Sequence, residues 1–209
     1  GPDAYMRLVR VEALWQGEGW YDTVSRRSNT PYGERLHWTR PLDVLLIAGA
    51  APLAPFLGQR QALYWWGLAV SPLLHVLTLL AFLWALRPLL GGGSGTAYAA
   101  VLFIAQPAIL AYYATGRPDH HGLIGLLFVL LMGLTLRLLG QEARLSHGVW
   151  AGLAAAALLW VSVEGLLLVG LVLLALGFCW LARGSNVTRL NLALAAALVL
   201  GVALALALE

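Results

Sequence analysis

Charge is what this sequence has least of: Asp, Glu, Lys and Arg make up 11% of its 209 residues, against roughly a quarter in ordinary soluble domains. That scarcity speaks against a water-soluble fold. Cysteine is nearly absent too. Cys179 is the only one and lies inside an apolar block, which excludes an internal disulfide and points to a packing role. A nucleotide-type phosphate loop is missing, because Gly91-Gly92-Gly93-Ser94-Gly95 is followed by no Lys, so nucleotide-dependent chemistry has no support. The net charge of +3 does not imply nucleic acid, since the arginines sit singly between apolar blocks and form no basic face. No signal-peptide pattern of basic, apolar and small-residue regions is present.

What is there is apolar and arranged in blocks; hydrophobic residues reach 60%. From residue 62 onward the blocks approach the roughly 20 residues that cross a bilayer core: 62–86, 96–113, 121–139, 148–163, 165–182 and 190–208. The predicted fold is an all-α polytopic transmembrane bundle, because a helix satisfies its own backbone hydrogen bonds in lipid. Residues 1–41 form the one polar stretch. Ala4, Leu8, Val11 and Trp15 fall at helical spacing there, which predicts an amphipathic interfacial helix, followed by a loop near 25–32. The block at 42–61, with Pro52 and Pro55, is short for a span and reads as re-entrant or interfacial, with a kinked crossing as the other layout. The start at Gly1-Pro2-Asp3 without Met and the stop at Glu209 after an apolar run read as truncations, with an earlier span expected.

Positive residues stay on the cytoplasmic side of short loops. Arg87, the pair Arg137 and Arg144, and the pair Arg183 and Arg189 mark three such loops, which alternate with loops at 116–120 and at Glu164. The crossings therefore bring Arg117-Pro118-Asp119-His120-His121 and Glu164 out on one outer face. Six arginines in residues 1–41 would by themselves be placed inside, which requires 42–57 to cross; if it folds back, Asp3 joins Asp119 and Glu164.

Asp119-His120-His121 is the most informative cluster, since ionisable groups at a membrane boundary cost free energy and an Asp with two imidazoles offers part of a divalent-metal site. Its plainer reading is that Asp119, after Pro118 and before an apolar run, caps a helix. Asp3 on spacing alone is a surface partner for Arg7, and Glu164 at a tight turn is either a solvated carboxylate or a site residue. His75 and His147 read as packed residues, and Trp65, Trp66, Tyr112, Tyr113 and Trp150 as an aromatic belt.

Two motifs carry a resemblance to a known family. Pro2-Asp3-Ala4-Tyr5 with Arg7 and Arg10 resembles the acidic motif opening the first external loop of the C-type integral-membrane glycosyltransferases, and Gly116-Arg117-Pro118-Asp119-His120-His121 resembles their second acidic motif. His37-Trp38-Thr39-Arg40 looks like bacterial members related to the oligosaccharyltransferase catalytic subunit. The resemblance implies a bacterial inner-membrane enzyme with its site on the periplasmic face. It would move a sugar or oligosaccharide from a polyprenyl-phosphate or pyrophosphate carrier to a protein or glycan acceptor, among membrane lipids. Asp3, Asp119 and Glu164 would be catalytic. Asp3, Asp119 and His121 would hold a divalent metal, Mg²⁺ or, because His121 stands where relatives carry an acid, Mn²⁺. Arg7, Arg10 and Arg40 would bind the donor phosphates, and His120 is a further candidate. The rival expectation is an ion- or proton-coupled transporter using Asp119, His120 and Glu164 as a relay.

Overall fold

The computed structural model describes residues 2–90, 93–140 and 142–209. It is 78% helical. Helix α1 (Pro2–Trp15) leads to a two-strand antiparallel ribbon, β1 (Val24–Ser25) with β2 (Glu34–Arg35). Then come α2 (Pro41–Ala50), a 3₁₀ turn (Ala51–Leu53), α3 (Ala54–Leu57), α4 (Gln59–Leu90), α5 (Ser94–Ile104), α6 (Pro107–Tyr112), α7 (His120–Leu139), α8 (Leu145–Val161), α9 (Gly165–Arg183) and, after a second 3₁₀ turn, α10 (Thr188–Leu208). Helices α4, α7, α9 and α10 are long and apolar enough to cross a bilayer, as expected of a membrane protein. Their outer faces carry exposed leucines and aromatics, such as Leu167, Phe178 and Leu206, a surface that suits lipid tails and not water.

Helix α1 forms on the expected spacing. Ala4, Arg7 and Val11 are buried on one face, and a Cβ at Gly67 of α4 would meet Leu8 Cδ2 at 3.0 Å, so the two helices touch closely there. Residues 41–57 double back: the chain turns at Gly58, whose φ of +78° favours a residue without a Cβ, and Gly49 of α2 lies against the Trp66 ring of α4. Val11, Leu46, Ala50, Leu63 and Val70 close a small core between α1, α2 and the first turns of α4.

Helices α4, α7 and α9 run one way through the bundle, and α8 and α10 the other. Leu74 of α4 packs beside Gly122 at the start of α7, and Ala85 beside Gly133 further along it, so α4 and α7 run the same way. Between them the stretch expected as one span at 96–113 is two helices. Pro107 disfavours helical backbone at the preceding residue, and Gln106 is extended. Arg183 Nη1 donates to Leu139 O at 2.8 Å, which joins the ends of α7 and α9. Gly148 and Gly152 of α8 lie against Leu190 and Leu194 of α10, so this pair is parallel as well. One end of the bundle therefore collects the start of α7, the α8–α9 turn and the last residues of α10. Thr39 Oγ1 donates to Val161 O at 2.9 Å and the Arg40 amide to Glu209 Oε1 at 2.8 Å, tying the polar N-terminal region to that same end.

Candidate functional site

The loop before α7 is pinned to α4 just ahead of Asp119. The Gly116 amide donates to Leu68 O at 3.3 Å, the Ser71 hydroxyl donates to Arg117 O, and Pro118 is buried. Leu8 of α1 meets Gly67, one residue before Leu68, so α1 and this loop share a turn of α4. Below the loop the Tyr113 hydroxyl lies 2.9 Å from Thr78 Oγ1 and donates to Gly122 O at 3.1 Å.

Asp119 does cap α7: its Oδ1 accepts from the His120 amide at 2.7 Å. Its other oxygen is engaged further. Oδ2 accepts from His121 Nδ1 at 2.9 Å and lies 3.3 Å from Arg117 Nη2. His120 Nδ1 is 2.8 Å from Oδ1 but off the line a hydrogen bond requires, which leaves it buried without a partner among the described residues. The two imidazoles lie 4.3 Å apart, Tyr112 packs 4.8 Å from the His121 ring, and the Arg117 guanidinium lies 5.0 Å from the Tyr112 ring. His121 Nε2 is 3.7 Å from Glu164 Oε2. Burial graduates across the group, from Asp119 at 13% exposure through His121 at 30% to Glu164 at 58%. Burial pushes the Asp119 carboxyl up, but the adjoining His120 and His121 outweigh it and hold the group well below the usual carboxylate range.

Asp119, His120 and His121 each place one ligand atom within 4.8 Å of the others, a mixed oxygen and nitrogen set that fits a divalent cation. Asp3 does not join them: it is exposed in the first turn of α1. Arg7, Arg10 and Arg40 converge on a different carboxylate. Asp43, with 0% side-chain exposure, is 3.1 Å from Arg7 Nη1, 3.2 Å from Arg10 Nε and 3.2 Å from Arg40 Nη1. Arg40 also donates to the carbonyls of Trp20 and Asp22, Arg10 donates to Trp38 O at 2.7 Å, and Arg7 lies 4.3 Å over the Trp38 ring. Burial lowers the Arg7 and Arg10 pKa values, with Asp43 pulling the other way. Arg7 is also within reach of the Asp119 charge, so the two clusters are neighbours. Sequence reasoning passed over Asp43; the available signal was a carboxylate three residues after Arg40, inside an apolar block.

No family model, curated protein or solved structure matches this chain.

Proposed function

We propose that the chain is the membrane-embedded catalytic part of a polytopic, oligosaccharyltransferase-like glycosyltransferase of the C type. It would transfer a sugar or oligosaccharide from a polyprenyl-phosphate or pyrophosphate donor to a protein or glycan acceptor at the outer face of a bacterial inner membrane. The observation that carries this reading is the gathering of Asp119, His120, His121 and Glu164 at one end of an otherwise apolar bundle. A proton or cation relay would need ionisable groups in depth, and among the described residues His75 is the only one placed well away from the ends of the long apolar helices.

The chemistry follows from the hydrogen bonds. Asp119 accepts from His121 Nδ1, so in the neutral imidazole the lone pair is on the other ring nitrogen, Nε2, which faces Glu164. His121 and the exposed Glu164 can then receive or orient the acceptor's proton. Arg117, held beside Asp119, can meet a phosphate oxygen of the donor. Asp119 and His120, whose Nδ1 has no hydrogen-bond partner among the described residues, would hold a divalent cation, Mn²⁺ or Mg²⁺, which would supply positive charge against the departing phosphate.

The test is transfer from an undecaprenyl-pyrophosphate-linked sugar in proteoliposomes. Asp119→Asn and His121→Gln are expected to lower kcat by roughly 10²–10⁴-fold, the range for a lost acid–base group, while Glu142→Gln at the opposite end is unaffected. Wild-type turnover in Asp119→Asn would exclude this assignment.

A further inference from the structure

A second site lies beside the first. Between α1 and the β1–β2 ribbon is a cavity of about 420 Å³, within the size range of small-ligand pockets. Its wall carries Arg10, Arg26, Arg27, Arg40 and Arg60 against three carboxylates, Glu12, Glu18 and Asp22. The carboxylates are partly spent: Glu12 holds Arg60 at 2.8 Å, and Asp22 accepts from the Val24 amide at 3.0 Å. Arg26 and Arg27 are exposed and have no carboxylate within ion-pair distance among the described residues. Arg10, 9% exposed, has Nε and Nη2 without hydrogen-bond partners, and the Asp43 cluster it belongs to sets three guanidiniums against one carboxylate. The cavity is thus backed and lined by surplus positive charge with donors to spare. The chain has no lysine, and the planar fork of its arginines pairs two donors with two phosphate oxygens.

We propose that this cavity binds a phosphate group, with Arg10, Arg26 and Arg27 as its principal donors. It shares only Arg10 with the trio Arg7, Arg10 and Arg40: Arg10 Nε lies beside Asp43 but its Nη2 has no partner among the described residues, whereas Arg7 and Arg40 hydrogen-bond Asp43. The inference rests on the function proposed above only for the carrier of that phosphate. Phosphate of this chemistry comes either from a lipid headgroup or from a free anion, and one experiment separates them.

The whole chain is reconstituted in phosphatidylcholine nanodiscs and titrated calorimetrically with inorganic pyrophosphate. In parallel, retention of phosphatidic acid is counted by native mass spectrometry. Saturable binding in either arm is expected, weakening as salt rises and falling at least about tenfold in Arg26→Gln/Arg27→Gln, whose exposed positions leave the fold intact. Pyrophosphate binding assigns the pocket to a free anion, and phosphatidic acid retention without it assigns a headgroup. No binding in either arm, or binding unchanged in the double variant, overturns the proposal. Asp119→Asn is expected to bind pyrophosphate as the wild type does. Lost transfer with intact binding therefore leaves the pocket standing, and intact transfer without any anion binding removes the pocket alone.

Discussion

Three guanidinium groups around one fully buried carboxylate make Asp43 the residue on which the polar end depends most. Removing one partner of a buried ion pair costs more than the pair contributes, because the remaining charge keeps its desolvation penalty. Asp43→Ala is expected to lose about 3–5 kcal/mol in detergent unfolding, against under about 0.5 kcal/mol for the exposed Glu142→Ala. Equal melting of the two variants would show that the arginines rearrange to water. Little of this cluster was legible in the sequence, because Arg7 and Asp43 are 36 residues apart and no periodicity connects them. Asp119, His120 and His121 were legible because they are consecutive, and the crossing count put Glu164 on their side. Asp3 carried its weight as a site residue by resemblance alone; its local spacing already pointed to the surface, and it is exposed and outside the ligand group.

Among the elements, the tightest pairing is between α8 and α10, and it runs over glycine. A Cβ at Gly148 would stand 2.7 Å from Leu190 O, and one at Gly152 would overlap the backbone of Leu194. Gly170 of α9 has open space around it. The same substitution therefore has opposite signs: Gly152→Ala is expected to destabilise by roughly 1–3 kcal/mol through forced separation, whereas Gly170→Ala gains up to about 1 kcal/mol of helix propensity. Unfolding in mixed micelles reads both, and a stabilised Gly152→Ala would mean that the helices are not in contact there. Apolar block length sufficed to locate α4, α7, α9 and α10, since a spanning helix leaves a continuous record in sequence. It could not show which helices touch, because in an apolar bundle partners are chosen by small residues meeting in space. The break at Gln106 was readable from Pro107, but block length masked it.

At the scale of the molecule, residues 2–57 and the loops at 114–119 and 162–164 belong to one end, and the turns near 142–144 and 184–187 to the other. Single cysteines at Ser25, Thr115 and Ser162 in a Cys179→Ser background are expected to react with a membrane-impermeant thiol reagent from one side of sealed vesicles, and one at Ser185 from the opposite side. Protection of Ser25 alone would detach the N-terminal region from the Asp119 end. The parallel pairing of α8 with α10 also has a bearing on the order of events during synthesis. Helix α8 leaves the ribosome with its glycine face uncovered, and its partner does not exist until α9 and the following turn have been made. At roughly 5–20 residues per second, several seconds separate the completion of the two helices. For that interval α8 must wait as a half-finished joint, exposed to any chaperone or neighbouring helix with a matching groove, and α9 serves as the tether that sets how far its partner can stray.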